Sequence, residues 1–428
     1  MSKNFSLYIV SWVLIIQLSV GVNCQMLQRS LHTTTLVDNK LYIIGGVHDL
    51  NGGVIGNQFL YLDVSVPFNT DKLSWNDITS TNIVPAHSAA ASGTSNGALI
   101  LYGGNVFAEK TKMDLIYMFN ALNNTWMNVP KLNDEKLRKS DLKGISVNDR
   151  IYLFGGMYNK TLTNSMVIFD PVNLGFTTGI LINAPAPRMR HGATLLPNRQ
   201  IAYFGGMDDF GVKFPLNEIH FYDTMSDSWS KKDATGRVPS GRDAFSSVLG
   251  LDGKRLIIFG GFQMAPADAL HVLDLTNMLW TVPNITGKLP MSRYHHQANV
   301  VGRFMVISFG KDYDQTIDND VLLLDISNND NYVWTNSFDT QLPNPLSLKG
   351  KPSSTTNKSI LISASVVSII IFGFLVLTGV FLYKSHKKKQ NRAKILRVPG
   401  LDTSNKKEEI LEIPGNVLNN RDFMFHVM

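Results

Sequence analysis

The 428-residue chain has a single cysteine, Cys24, so no disulfide can form within it. Cys24 ends an N-terminal apolar run. A mature protein beginning beyond it has no thiol, which excludes thiolate catalysis and cysteine metal sites. Excess charge is also missing from most of the length. The formal net charge is +6, yet the last 45 residues alone hold ten Lys/Arg against five Asp/Glu. What precedes them is close to neutral, so no nucleic-acid partner is expected.

Long apolar runs are few, and each has a reading. Lys3 is followed by apolar residues from Leu7 to Val22, broken by Ser11, Gln17 and Ser19. A basic start, a short apolar stretch and small closing residues describe a secretory signal peptide, residues 1–24, with Gln25 first in the mature chain. Ile360 to Tyr383 is uncharged for 24 residues, enough to cross a bilayer as a helix. Lys384, Lys387, Lys388, Lys389, Arg392 and Lys394 follow and mark the cytoplasmic side. The expected topology is single-pass type I, at the plasma membrane, with the N-terminal domain outside. Asn123, Asn159 and Asn284 open glycosylation sequons on that side, and Asn357 opens another near the membrane.

The remaining signal is a repeat. Gly-Gly doublets at 45–46, 103–104, 155–156, 205–206 and 260–261 each follow a strand-like run such as Ile151-Tyr-Leu-Phe. A sixth, Ile307-Ser-Phe-Gly310-Lys311, reads as having lost its second glycine. In phase with these, an Asn/Asp pair six residues apart recurs: Asn57 and Asp63, Asp114 and Asn120, Asn164 and Asp170, Asn217 and Asp223, Asp268 and Asp274, Asn319 and Asp325. An aromatic follows each pair: Trp75, Trp126, Phe176, Trp229, Trp280 and Trp334. Upstream of most doublets stands an arginine: Arg29, Arg138, Arg188, Arg242 or Arg293. The second unit has Pro85-Ala86-His87 there. Paired glycines permit φ > 0 where a strand ends against its neighbour. The Asp and the aromatic delimit a turn into an outer strand whose ring seals one sheet on the next. A sheet of this kind cannot bury both faces alone, so stacking in a ring is the natural solution.

Gly-Gly, then Tyr222-Asp223, then Trp229 six residues on resembles the kelch repeat, over about Arg29 to Asp339. The resemblance implies an all-β fold: a six-bladed kelch-type β-propeller over residues 25–340. A Pro/Ser/Thr-rich stalk (341–359), the transmembrane helix (360–383) and a basic cytoplasmic tail (384–428) follow. Ring closure stays open, since Gln25 to Gln28 could add a strand to the last blade.

In an up-and-down blade, the loop before the first strand and the loop after the second lie on one face. Arg188, Arg190, His191, Arg242, Arg293 and His295 should therefore ring the mouth, with Asp208 and Asp209 rising beside them as a candidate ligand site. Arginines at a repeated position serve equally well as a structural ion-pairing layer. His32, His191 and His296, each three residues after an arginine, share that framework reading. Aspartates 312, 314, 318 and 320 hint at calcium but lack the glycine and closing glutamate of an EF-hand loop, so no metal or cofactor is expected.

Galactose-oxidase-like copper enzymes use similar blades but need a cysteine-linked tyrosine, which a chain without mature cysteine cannot make. Sialidase-type Ser-x-Asp-x-Gly-x-x-Trp turns are absent. The expected function is recognition of an extracellular protein or glycan; the alternative is a metal-free carbohydrate-active enzyme. The tail is expected near anionic lipids. Its paired segments Ile395–Gly400 and Ile410–Gly415 are candidate docking motifs for a cytoplasmic partner.

Overall fold

The structure, a computed structural model, describes residues 26–48, 53, 55–106, 112–127, 129, 137–314 and 316–340. The signal peptide, stalk, membrane helix and tail expected from the sequence, with both tail motifs, lie outside the described residues. Among the described residues no helix is long and apolar enough to cross a membrane.

The repeat folds as six antiparallel sheets, each made from one contiguous stretch of chain. The innermost strands are Thr33–Val37, Ala91–Ser95, Gly144–Val147, Gly192–Leu195, Ser246–Leu249 and Gln297–Val301. Each touches the next and the sixth touches the first, so the sheets are blades around one axis. Blades 5 and 6 gain a parallel edge strand, Thr235–Gly236 and Ile285–Thr286, from the segment leading into them.

The core lies between blades as six clusters, one for each neighbouring pair. Each aromatic of the repeat leans back on the preceding blade. Trp126 packs on Phe59, Phe176 on Tyr102, Trp229 on Phe154, Trp280 on Phe204, Trp334 on Phe259, and Trp75 on Phe309 across the closure. The indoles of Trp229 and Trp280 also donate to Ile180 O and Leu216 O, at 3.0 and 2.9 Å. The recurring Asp or Asn does its local job in every blade. Its Oδ1 accepts the N–H two residues on, at Ser65, Leu122, Val172, Met225, Thr276 and Ser327.

The ring closes without the N-terminal strand that the sequence left open. Met26 to Gln28 form no strand, and Met26 packs into the core between blades 6 and 1. Ser337–Phe338 pairs with Phe68–Asn69 of blade 1, and the rings of Phe338 and Phe68 stack at 4.5 Å.

Two repeat positions need correction. The N–H of the second doublet glycine donates to the next blade: Gly46 to His87 O, Gly104 to Lys139 O, Gly156 to Arg188 O, Gly206 to Arg242 O and Gly261 to Arg293 O. Gly310 donates to Arg29 O in the same way, so the sixth unit keeps its second glycine. It is the first that is replaced, by Phe309 at φ 50°. An apolar residue at that point makes the preceding strand read one residue too long. Likewise Lys139, not Arg138, holds the basic position of blade 3. It is buried, and its ammonium donates to Ser165 O at 2.9 Å.

At the first doublet position the neighbouring blade is very close. A Cβ on Gly260 (φ 74°) would stand 2.1 Å from Arg293 O, whereas one on Gly302 (φ 57°) would meet nothing within 4 Å. Gly302→Ala is expected to cost about 1 kcal/mol for the left-handed backbone alone. Gly260→Ala adds blade displacement and should cost several times that. Denaturation of the two variants checks this, and equal small losses would show that the blades do not abut there.

Candidate functional site

The segment leading into each first strand and the loop after each doublet share one face. Bridges Ser30–Val47, Ser140–Met157 and Met189–Met207 and the pair Arg293–Asp312 hold them together. Two residues after each basic position stands one residue in the left-handed region: Leu31, Ala89, Asp141, Arg190, Ala244 and His295, at φ between 52° and 57°. Their peptide groups form a closed ring. Leu31 N–H donates to His295 O, His295 to Ala244, Ala244 to Arg190, Arg190 to Asp141, Asp141 to Ala89 and Ala89 to Leu31, at 2.8–3.1 Å. Backbone strain at a non-glycine residue often marks a functional site. Here it occurs in all six blades, so it belongs to the construction of the ring.

The predicted site residues divide into two groups. Arg188, Arg242 and Arg293 are buried and face into their blades. Their Nη1 atoms donate to Gly205 O (3.0 Å), Gly260 O (3.2 Å) and Phe309 O (3.2 Å). Arg188 Nε reaches Ala186 O and Arg242 Nε reaches Ser240 O. They brace each lead-in segment against its doublet. This is the framework role, met mainly by carbonyls rather than by an acid layer; Arg293 alone of the three adds close carboxylates, Asp320 at 2.6 Å and Asp312 at 3.4 Å. Asp314 is engaged by the backbone N–H and hydroxyl of Thr316. Three acids of the calcium-like loop thus serve the fold. His191 is buried against Phe154 and Tyr203, and burial pulls its imidazole down to about 3.

Arg190 and His295 do meet at the mouth. Arg190 Nε donates to Asp141 Oδ1 at 2.8 Å, and its Nη1 lies 3.9 Å from Asp243 Oδ2. Lys213 stands 3.8 Å from the other Asp243 oxygen and donates to Phe262 O. Burial raises the Asp243 carboxyl, against the pull of Lys213 and Arg190. Burial first, then Arg190 and Lys311, hold His295 far below its usual range and therefore neutral. Asp141, Asp243 and Lys213 escaped the sequence reading, although an acid directly after Arg242 was visible.

The two loop aspartates also part company. Asp208 is the clamp of its own loop, with Oδ1 accepting from Phe210 N at 2.9 Å and Val212 N at 2.8 Å. Asp209 is exposed. The clamp presents Phe210, 91% exposed, and Val212, 63% exposed, as a rigid apolar tip beside the mouth. The expected glycosylation acceptors Asn123, Asn159 and Asn284 are all exposed.

Six blades, doublet turns and a braced polar mouth define a β-propeller of the kelch type. The chain belongs to the KLHDC2/KLHL20/DRC7 Kelch-repeats domain family, whose model matches residues 31–261 and 214–375. It is 28% identical over 190 residues to Kelch domain-containing protein 3 of Rattus norvegicus, covering 41% of this chain and 49% of that protein. Host cell factor 2 of Homo sapiens is 28% identical over 264 residues, covering 56% of this chain and 32% of that protein. The chain thus spans half or less of the length of these relatives. The solved structure of YjhT superposes with a TM-score of 0.57 at 13% identity, covering 73% of this chain and 99% of that one. That likeness supports the fold.

Proposed function

We propose that this propeller is a protein-recognition module, carried outside the cell on a single membrane span, and that its partner seats on the mouth face. The observation behind the choice of a protein ligand is the Phe210–Val212 tip. An apolar anchor already fixed by its own loop loses little entropy on binding, and Asp209 and Lys213 flank it within that loop. A glycan receptor would call for tryptophans at the mouth. The five described tryptophans all pack between blades instead. Extracellular display rests on the sequence: the N-terminal apolar run, the span Ile360 to Tyr383, the basic cluster behind it and the exposed sequons.

The test is proximity labelling on intact cells that express the full chain with a tag after Gln25. The wild type is expected to be stained without permeabilisation, to lose mass with glycosidase and to label a defined surface partner. Phe210→Ser should cut that labelling about tenfold, the worth of one buried aromatic anchor, with unchanged melting. Staining only after permeabilisation would overturn the topology. Equal labelling by the variant would overturn the tip as the contact.

A further inference from the structure

Beneath the peptide ring, the inner strands enclose a cavity of about 410 Å³ on the axis. Its wall is rich in hydroxyls, but these are largely used between blades. Thr35 donates to Ser92 at 2.8 Å, Thr194 and Ser247 share a bond of 2.8 Å, and Ser146 accepts from Thr94 N at 2.7 Å. Lys143 is the one charged side chain among the described residues lining it. Its counterparts in the other blades are Thr33, Ala91, Gly192, Ser246 and Gln297. Lys143 also lines a smaller cavity of about 60 Å³ directly under the ring, together with His191, His296 and Gln297. No carboxylate pairs with it among the described residues. His191, 1% exposed, has no protein partner on either ring nitrogen.

Asp141 lines the smaller cavity too but is already engaged by Arg190 at 2.8 Å. The Lys143 ammonium therefore has no counter-charge of its own among the described residues, and the unpartnered His191 imidazole lines the same space. Desolvating such a charge is costly unless a counter-charge shares the space. We infer that the axial channel is a binding site for a small oxyanion, either a carboxylate or an inorganic phosphate. Lys143 Nζ, which lines both cavities, holds the charge, and His191 donates to a second oxygen at the end under the ring. The unpartnered amide oxygen of Asn299 on the same wall suits a ligand that itself carries hydroxyls. Arg190 and His295 of the mouth line the smaller cavity as well, but the Phe210 tip lines neither cavity, and the proposal does not depend on the protein-recognition reading.

Calorimetry on the purified propeller decides it, with sodium phosphate and sodium gluconate titrated separately into chloride-free buffer. Saturable one-to-one binding tighter than about 10 mM is expected for at least one. Lys143→Met should weaken it about tenfold or more, Lys143→Arg should retain most of it, and Phe210→Ser should leave it unchanged. Phosphate alone binding would assign an inorganic oxyanion, and gluconate alone a hydroxylated carboxylate. Heat from neither anion, or binding that survives Lys143→Met, would overturn the site.

Discussion

Changing Arg188, Arg242 and Arg293 together to methionine is expected to leave no folded propeller. These were the residues a ligand search by sequence would have altered first. Each guanidinium lies inside its blade and satisfies carbonyls that have little access to water. Burial alone pulls Arg188 and Arg242 down to about 10, with Glu218 and Asp268 opposing, so both remain charged at neutral pH. Removing Arg188 or Arg242 leaves two or more carbonyls unsatisfied, and removing Arg293 leaves Phe309 O and the carboxylates of Asp320 and Asp312, at roughly 1–3 kcal/mol for each group. Relief of the buried charge returns part of that. Three such losses, about 6–12 kcal/mol in all, match the whole stability of an ordinary domain. Secretion level and circular dichroism of the triple variant check it, with Phe210→Ser as a surface control that should be secreted normally. A triple variant secreted and melting like the wild type would show the brace to be dispensable and the arginines free for a ligand.

The same distinction explains what the chain betrayed about its fold. The doublets, the Asn/Asp pairs and the aromatics each answer a local demand. One allows φ > 0 at the blade contact, one closes a turn, and one fills the gap to the preceding blade. Residue type is therefore fixed and the repeat is readable. The central ring makes no such demand, because peptide groups build it. Its six positions hold Leu31, Ala89, Asp141, Arg190, Ala244 and His295, with no shared chemistry to detect. Arg138 drew attention away from Lys139 because both are basic, and only the bond from Gly104 to Lys139 O sets the register. Asp208 looked like a ligand group next to Asp209, yet its oxygen is consumed inside the loop. The exposed partner of that clamp, Phe210, looked like any apolar loop residue. Lys143 could have been found: it is a lysine where the other repeats hold small or neutral residues.

Lys143→Met is expected to stabilise the propeller at neutral pH in the absence of oxyanions. Burial pulls the lysine from its ordinary value near 10.5 to about 8, with no charged neighbour among the causes. Such a gap corresponds to about 3 kcal/mol against the charged form, reduced to roughly 1–3 because the amine faces the channel. In the unfolded chain the same ammonium is fully hydrated. Below about pH 8 the folded protein therefore carries the whole desolvation cost. As pH rises from about 8 the folded lysine loses its proton first and the cost fades, until near 10.5 the unfolded chain follows and the difference ends. The advantage of the variant should thus be full at pH 7 and gone near pH 10.5. Comparing the two proteins cancels every other titrating group. At pH 7 the gain should appear as a rise in melting temperature of a few degrees. Added phosphate or gluconate should narrow the gap by raising the wild type alone. A methionine variant that is less stable at every pH by a constant amount would mean that the lysine packs as structure. The cation in the channel would then need no counter-ion.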